Sequence, residues 1–149
     1  MTEAADILLA ADSVLVVDWP SRDVPDTLAR AGFAVVVHGG PGPEDYTEHR
    51  LENGGIVAVQ IGRPPEHADV VYTHRPVDEL PEIVETASAI GARAIWVQSG
   101  LAGDGQKDPS GCWMPPEDSR RARPIVESAG MTYIDEPYIA DVVRQLGLR

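Results

Sequence analysis

Ala94-Ile95-Trp96-Val97-Gln98-Ser99-Gly100 is a run of apolar residues that passes into two polar side chains and a glycine. It follows a helix-like segment closed at Gly91 and reads as the central strand of a nucleotide-binding α/β sheet. In open sheets of this type, ligands bind in the crevice outside the carboxyl ends of the strands. Gln98, Ser99 and Gly100 therefore stand at the lip of the expected crevice, with Gly100 needed for its backbone freedom.

Strands and helices alternate outward from this run. Val14 to Val17 is a continuous β-branched stretch, as expected of a parallel strand buried on both faces. A short leading helix is expected over Leu8 to Ala11. After the break at Asp18-Trp19-Pro20-Ser21-Arg22, residues Val24, Thr27, Leu28 and Ala31 fall at helical spacing, with Gly32 at the C-terminal cap. Pro25 belongs in the first turn, which favours Asp23 as the N-cap. Further strands are expected at Phe33–Val37, Ile56–Ile61, Asp69–Thr73 and Met131–Ile134. Helices are expected after Asp78, over Glu117–Ala129 and from Asp135-Glu136-Pro137 to about Leu146. Pro124 should kink the second of these or mark its true beginning. This alternation implies right-handed crossovers. It predicts one α/β domain over 1–149: a Rossmann-like open, mainly parallel sheet with helices on both faces. A long loop at about 101–116 is inserted in it.

The composition narrows the partners. The 149 residues carry 43% apolar side chains and one cysteine, so a single core is affordable in size and no internal disulfide can form. A formal charge of −12 opposes binding to nucleic acid or to an anionic membrane. It leaves room for a small anionic ligand, because local arginines and helix N-termini override the average field. No apolar run is long enough to span a bilayer, and acids rather than bases precede Ile7-Leu8-Leu9. A cytoplasmic protein is the expectation, with a homodimer left open.

Asp69-Val-Val-Tyr-Thr-His-Arg75, Leu80-Pro81-Glu82-Ile83-Val84 and Gly91 to Gly100 together resemble the small single-domain CoA-binding proteins related to the nucleotide-binding domain of succinyl-CoA synthetase. The similarity extends to Ser128-Ala129-Gly130-Met131 and to Pro20-Ser21 and Gly32-Phe33, covering most of the chain. It implies binding of CoA or an acyl-CoA. Two departures mark a divergent member. The family follows its first strand with a glycine-containing loop, whereas Val17 here runs into Asp18-Trp19. The family also tends to place a cysteine after the last strand, where this chain has Asp135-Glu136-Pro137. An aspartate in the first loop sets a negative charge toward an anionic ligand.

The candidate ligand-binding residues are Pro20, Ser21, His38, His74, Arg75, Gln98, Ser99 and Gly100. Arg75 offers a fork of donors to a phosphate, or pairs with Asp78 or Glu79. His38 and His74 both leave strand ends and face one crevice or serve only locally. Cys112 and Trp113 belong to the inserted loop, Trp113 as a lid or a subunit contact. Arg120, Arg121 and Arg123 meet a 3′-phosphate or form a solvated helix face. Non-catalytic binding of CoA, an acyl-CoA or a related nucleotide is the leading expectation. A divergent enzyme using His38, His74 or Asp18 on a small substrate is the alternative, and an interaction module that has lost its ligand is another. No Gly-x-Gly-x-x-Gly follows the first strand, which argues against a dinucleotide oxidoreductase.

Overall fold

The computed structural model describes residues 3–18, 22–40, 42–108 and 110–147. Its strands are β1 (Ser13–Val17), β2 (Ala34–His38), β3 (Tyr46–Glu52), β4 (Gly55–Gln60), β5 (Val70–Thr73), β6 (Ala94–Val97) and β7 (Thr132–Ile134). They form one sheet in the order β4-β3-β2-β1-β5-β6-β7. β1 pairs in parallel with β2 and with β5, and the parallel run continues through β6 to β7. Only β3 runs antiparallel, against β2 and β4. The chain moves one way from β1 to β2 and the other way from β5 to β7, so the order reverses between β1 and β5. That reversal places a crevice at the carboxyl ends of these strands.

The helices are α1 (Glu3–Leu9), α2 (Asp23–Arg30), α3 (Leu80–Ala89), α4 (Pro116–Glu127) and α5 (Ile139–Leu146). On one face α1, α2 and α5 bury Leu8, Leu28 and Ile139 against Val14, Val16, Tyr72 and Trp96. On the other, α3 and α4 bury Leu80, Ile83 and Val126 against Leu15, Val71 and Ile95. Alternate residues of β1 thus serve opposite cores, which is why its sequence is apolar without a break. Each such side chain contributes about 1.5–3 kcal/mol on burial.

Several expectations need correction. α1 covers Glu3–Leu9 rather than Leu8–Ala11, because Ala4, Ala5 and Leu8 are its buried residues. Arg22, not Asp23, is the N-cap of α2, since the Asp23 carboxylate accepts from the Tyr138 hydroxyl at 2.8 Å and from Arg144. Asp78 lies in a 3₁₀ turn over Val77–Glu79, and the α-helix begins only at Leu80. Pro124 lies inside α4, which begins at Pro116, so it does not mark the beginning of that helix. α5 starts at Ile139, after Pro137, because the Pro137 carbonyl accepts from the Trp96 indole at 3.0 Å. β3 was not expected at all. Its polar side chains hide a strand that the two-residue turn Asn53-Gly54 joins to β4, with φ of 53° and 82°.

At the amino ends of the strands, His67 sits between two acceptors. Its Nδ1 lies 2.9 Å from the Ile90 carbonyl and its Nε2 lies 2.9 Å from Asp69 Oδ1. Only the imidazolium donates to both. The hydrogen bond to Asp69 raises the His67 pKa above 6.5, with Arg93 opposing. Asp69 in turn accepts the backbone N–H groups of Asp12 and Ser13, fixing the start of β1 to the start of β5.

A pKa raised on folding gives stability that is complete below the ordinary value and lost as pH rises through the folded value. The melting temperature of wild type should therefore exceed that of His67→Ala by more at about pH 5.5 than at about pH 8.5. Thermal denaturation at both pH values checks this; an equal gap at both would refute it.

Candidate functional site

β1 ends at Val17, and Asp18 follows in the left-handed region with φ of 58°. A side chain there costs more than glycine would, and aspartate is one of the few residues that tolerates it. The Asp18 N–H donates to the His38 carbonyl at 3.0 Å, which joins the ends of β1 and β2. Its carboxylate accepts from Arg75 Nη1 at 2.7 Å.

Arg75 leaves β5 two residues after Thr73. Its backbone N–H donates to Thr73 Oγ1 at 3.0 Å, which turns the chain at the strand end. The guanidinium also donates to Glu79 through Nε at 3.0 Å and Nη2 at 2.6 Å. This bidentate pair fixes its plane. Glu79 and Asp18 raise the Arg75 pKa further above its ordinary value, and Arg75 lowers that of Glu79. Two carboxylates thus surround one cation.

Two hollows open beside it. One, of about 210 Å³, is lined by Val17, Asp18, His38, Gly39, Gly40 and Arg75. The other, of about 200 Å³, lies between Arg75, Val97, Ser99, Leu101, Met114 and Asp118. Each is smaller than the range of about 300–1,000 Å³ usual for ligand pockets, and the two together reach it. Arg75 forms part of both walls.

His38 lines the first hollow. Its ring stacks on Tyr46 with centroids 4.2 Å apart and planes 3° from parallel. Its Nε2 lies 3.0 Å from the Gly42 carbonyl, so that nitrogen carries the proton. His74 lines the second hollow and is half-buried. Burial lowers its pKa, Arg75 lowers it further, and the Gln98 backbone and Asp18 oppose the shift. The imidazole is therefore neutral near pH 7. Gly100 lies directly against this ring. A Cβ on Gly100 would stand 2.3 Å from His74 Cε1, and its φ is 70°.

Gln98 borders the second hollow, and its side-chain amide is engaged toward the core. It is 1% exposed, its Nε2 donates to the Asp135 carbonyl at 2.9 Å, and its Oε1 accepts the Ile139 N–H at 3.1 Å. Ser99 Oγ accepts the Leu101 N–H at 3.1 Å. Pro20 and Ser21, with Trp19, lie outside the described residues.

The loop after β6 folds back on its own start. Gly100 N–H donates to the Gly111 carbonyl at 3.0 Å, and Trp113 N–H donates to the Leu101 carbonyl at 3.1 Å. Gly111 packs so closely that a Cβ would meet the Leu101 backbone at 2.2 Å. Met114 turns inward and takes the Tyr133 hydroxyl on its sulfur at 3.3 Å, while Trp113 stays 39% exposed. Burial and then the carboxylates of Glu136 and Asp135 raise the Cys112 pKa, which favours the thiol over the thiolate. Arg121 pairs with Asp78, and Arg123 pairs with Glu127 and covers the Tyr133 ring. These contacts fit the solvated-face reading of that cluster. Among the described residues no group of three or more His, Cys, Asp or Glu side chains is placed to hold a metal ion.

The sequence places Arg75, His38 and His74 at strand ends; in the structure His38 lines one hollow and His74 the other, with Arg75 bordering both. Sequence reasoning did not anticipate Gly39 and Gly40 as walls. Their proximity to His38 at the end of β2 was the available signal.

A family model described as a CoA binding domain matches residues 16–140. No curated protein matches the chain. Among solved structures, Prb, a protein redesigned for binding, is 18% identical, with 100% of this chain and 95% of that one covered at a TM-score of 0.60. A hypothetical protein from Pyrococcus horikoshii OT3 is 19% identical over 98% and 92% of the two chains, at a TM-score of 0.59. A protein from Thermus thermophilus is 19% identical over 98% and 99%, at a TM-score of 0.56. At such identities the likeness is one of fold.

Gln98→Met keeps the volume at the crevice lip but orphans the Ile139 N–H and the Asp135 carbonyl. Unfolding in urea should show a loss of about 2 kcal/mol or more. Gly100→Ala should lose about 1–3 kcal/mol and shift the His74 ring resonances. A Gly100→Ala protein as stable as wild type, with His74 unmoved, would contradict the packing described.

Proposed function

The chain belongs to the CoA-binding domain family, and from that premise we propose that it binds CoA or an acyl-CoA in the crevice at the carboxyl ends of β1, β2, β5 and β6. The carrying observation is Arg75, a guanidinium at the switch point between β1 and β5 that borders both hollows. Arginine suits a diphosphate because its planar fork meets two oxygens at once. Val77, Val97, Leu101 and Met114 give the second hollow apolar walls that suit a pantetheine arm or a short acyl group. Ser99 and Gly100 lie beside that wall, and His38 and His74 present one ring on each side of Arg75.

The donor set suits the ligand only after a local exchange. Arg75 already faces two carboxylates, so an incoming diphosphate competes with Asp18 for Nη1. Asp18 also adds like charge where the family's glycine adds none. Affinity for CoA is then lower than the guanidinium alone would provide, and Asp18 is the residue that sets the deficit. The Asp18 and Arg75 side chains are 40% and 38% exposed, so solvent screening keeps their pairing weak.

Calorimetry with CoA, acetyl-CoA and ATP tests the proposal. CoA or acetyl-CoA should bind, Arg75→Ala should abolish the heat, and Asp18→Asn should bind several-fold more tightly. No heat and no thermal shift with any of these compounds would overturn it. An Asp18→Asn protein that binds more weakly would overturn the competition between aspartate and ligand.

A further inference from the structure

The two edges of the sheet differ. β7 is three residues long, and Arg123 of α4 covers its Tyr133 ring at 4.8 Å. Strands this short offer little ladder to another strand. β4 is six residues long and reads Gly55-Ile56-Val57-Ala58-Val59-Gln60, with no charge and no proline. Those are the devices by which edges are normally protected.

The backbone register shows which groups are left unpaired. Glu52 faces Gly55 across the two-residue turn, and this closing pair exchanges its hydrogen bonds. Alternation then turns Gly55, Val57 and Val59 toward β3, and the Ile61 N–H continues the series to the Tyr46 carbonyl at 2.9 Å. The N–H and C=O groups of Ile56, Ala58 and Gln60 point away from the sheet. Among the described residues they have no partner. Leu51 at 46% and Val57 at 39% are two of the four large apolar side chains exposed in the described residues, and both lie on this hairpin.

We infer that β4 pairs antiparallel with β4 of a second copy of this chain, across a two-fold axis at Ala58. An open backbone ladder is recognised by another strand, and this one is complementary to itself. With Ala58 opposite its own counterpart, Ile56 faces Gln60 of the second copy, and each facing pair exchanges both hydrogen bonds. Val57 of each copy then faces Val59 of the other in the closer, non-hydrogen-bonded positions, covering the exposed Val57 side chain. Charge selects the same place. Two copies, each at −12, repel over most of their surfaces, and this uncharged strand brings them together with no like charges in the pairing. The β4 edge lies three strands from the crevice side of β1, so pairing leaves the ligand site open.

Light scattering on the full chain and cysteine cross-linking test the pairing. Wild type should have the mass of a dimer at micromolar concentration. Val57→Lys and Ala58→Pro should have the mass of a monomer with unchanged far-ultraviolet dichroism. Ala58→Pro removes only an outward N–H, and Val57→Lys leaves every backbone group in place, so one variant remains informative if the other fails to fold. In the register given, the two Ala58 Cα atoms lie about 5.5 Å apart, within reach of a disulfide. Ala58→Cys in a Cys112→Ser background should therefore form a covalent dimer on mild oxidation, and Val57→Cys in that background should not. A monomeric wild type at every concentration overturns the inference. So does a dimer indifferent to both β4 variants, which would place the contact elsewhere, for instance at Trp113. Cross-linking through Val57→Cys in preference to Ala58→Cys would overturn the register.

Discussion

A single neutral amide holds the joint between the end of β6 and the start of α5. Gln98 is buried at the end of β6 and bridges the Asp135 carbonyl to the first N–H of α5. The Trp96 indole, two residues earlier, holds the Pro137 carbonyl between them. The segment 135–139 is thereby fixed to β6, and with it the direction of α5. That direction brings Tyr138 to the Asp23 carboxylate and so docks α5 on α2. A buried polar side chain is stable only when its hydrogen bonds are complete. Here the completed bonds define where the strand stops and the crevice starts.

The chemistry of the crevice is governed by charge balance. One guanidinium faces two carboxylates, and the neighbouring imidazole of His74 is kept neutral by burial. Such a site presents little net positive field at long range, and its guanidinium is open to an anion only where a carboxylate gives way. The aspartate responsible occupies a backbone conformation that glycine adopts more cheaply.

Most of this architecture was legible in the chain. Val14–Val17, Asp69–Thr73 and Ala94–Gln98 announce themselves as strands because both faces are buried, which leaves no polar position to confuse the pattern. The crevice followed from where those runs end. β3 escaped because Thr47 to Arg50 are polar on both faces, although Asn53-Gly54 is a hairpin turn in plain view. Gln98 stands at the lip and its amide faces the core, since a side chain just past a strand end can point to either side and sequence does not fix which. The pairing of Arg75 was visible as an alternative, because Glu79 lies four residues on. Asp18 joins them only through the parallel register of β1 and β5, which is a long-range fact that no local spacing records.

Arg75 stands as a wall common to two compartments, and this has a consequence for any pair of guests. A group that draws the guanidinium into one compartment withdraws it from the other and alters the shape of both. Were a guest to draw Arg75 away from Glu79 into one compartment, the other would change shape with the sheet unmoved, through one side chain. Two small molecules lodged on opposite sides of Arg75 would share a single positive charge, and neither would bind as it does alone.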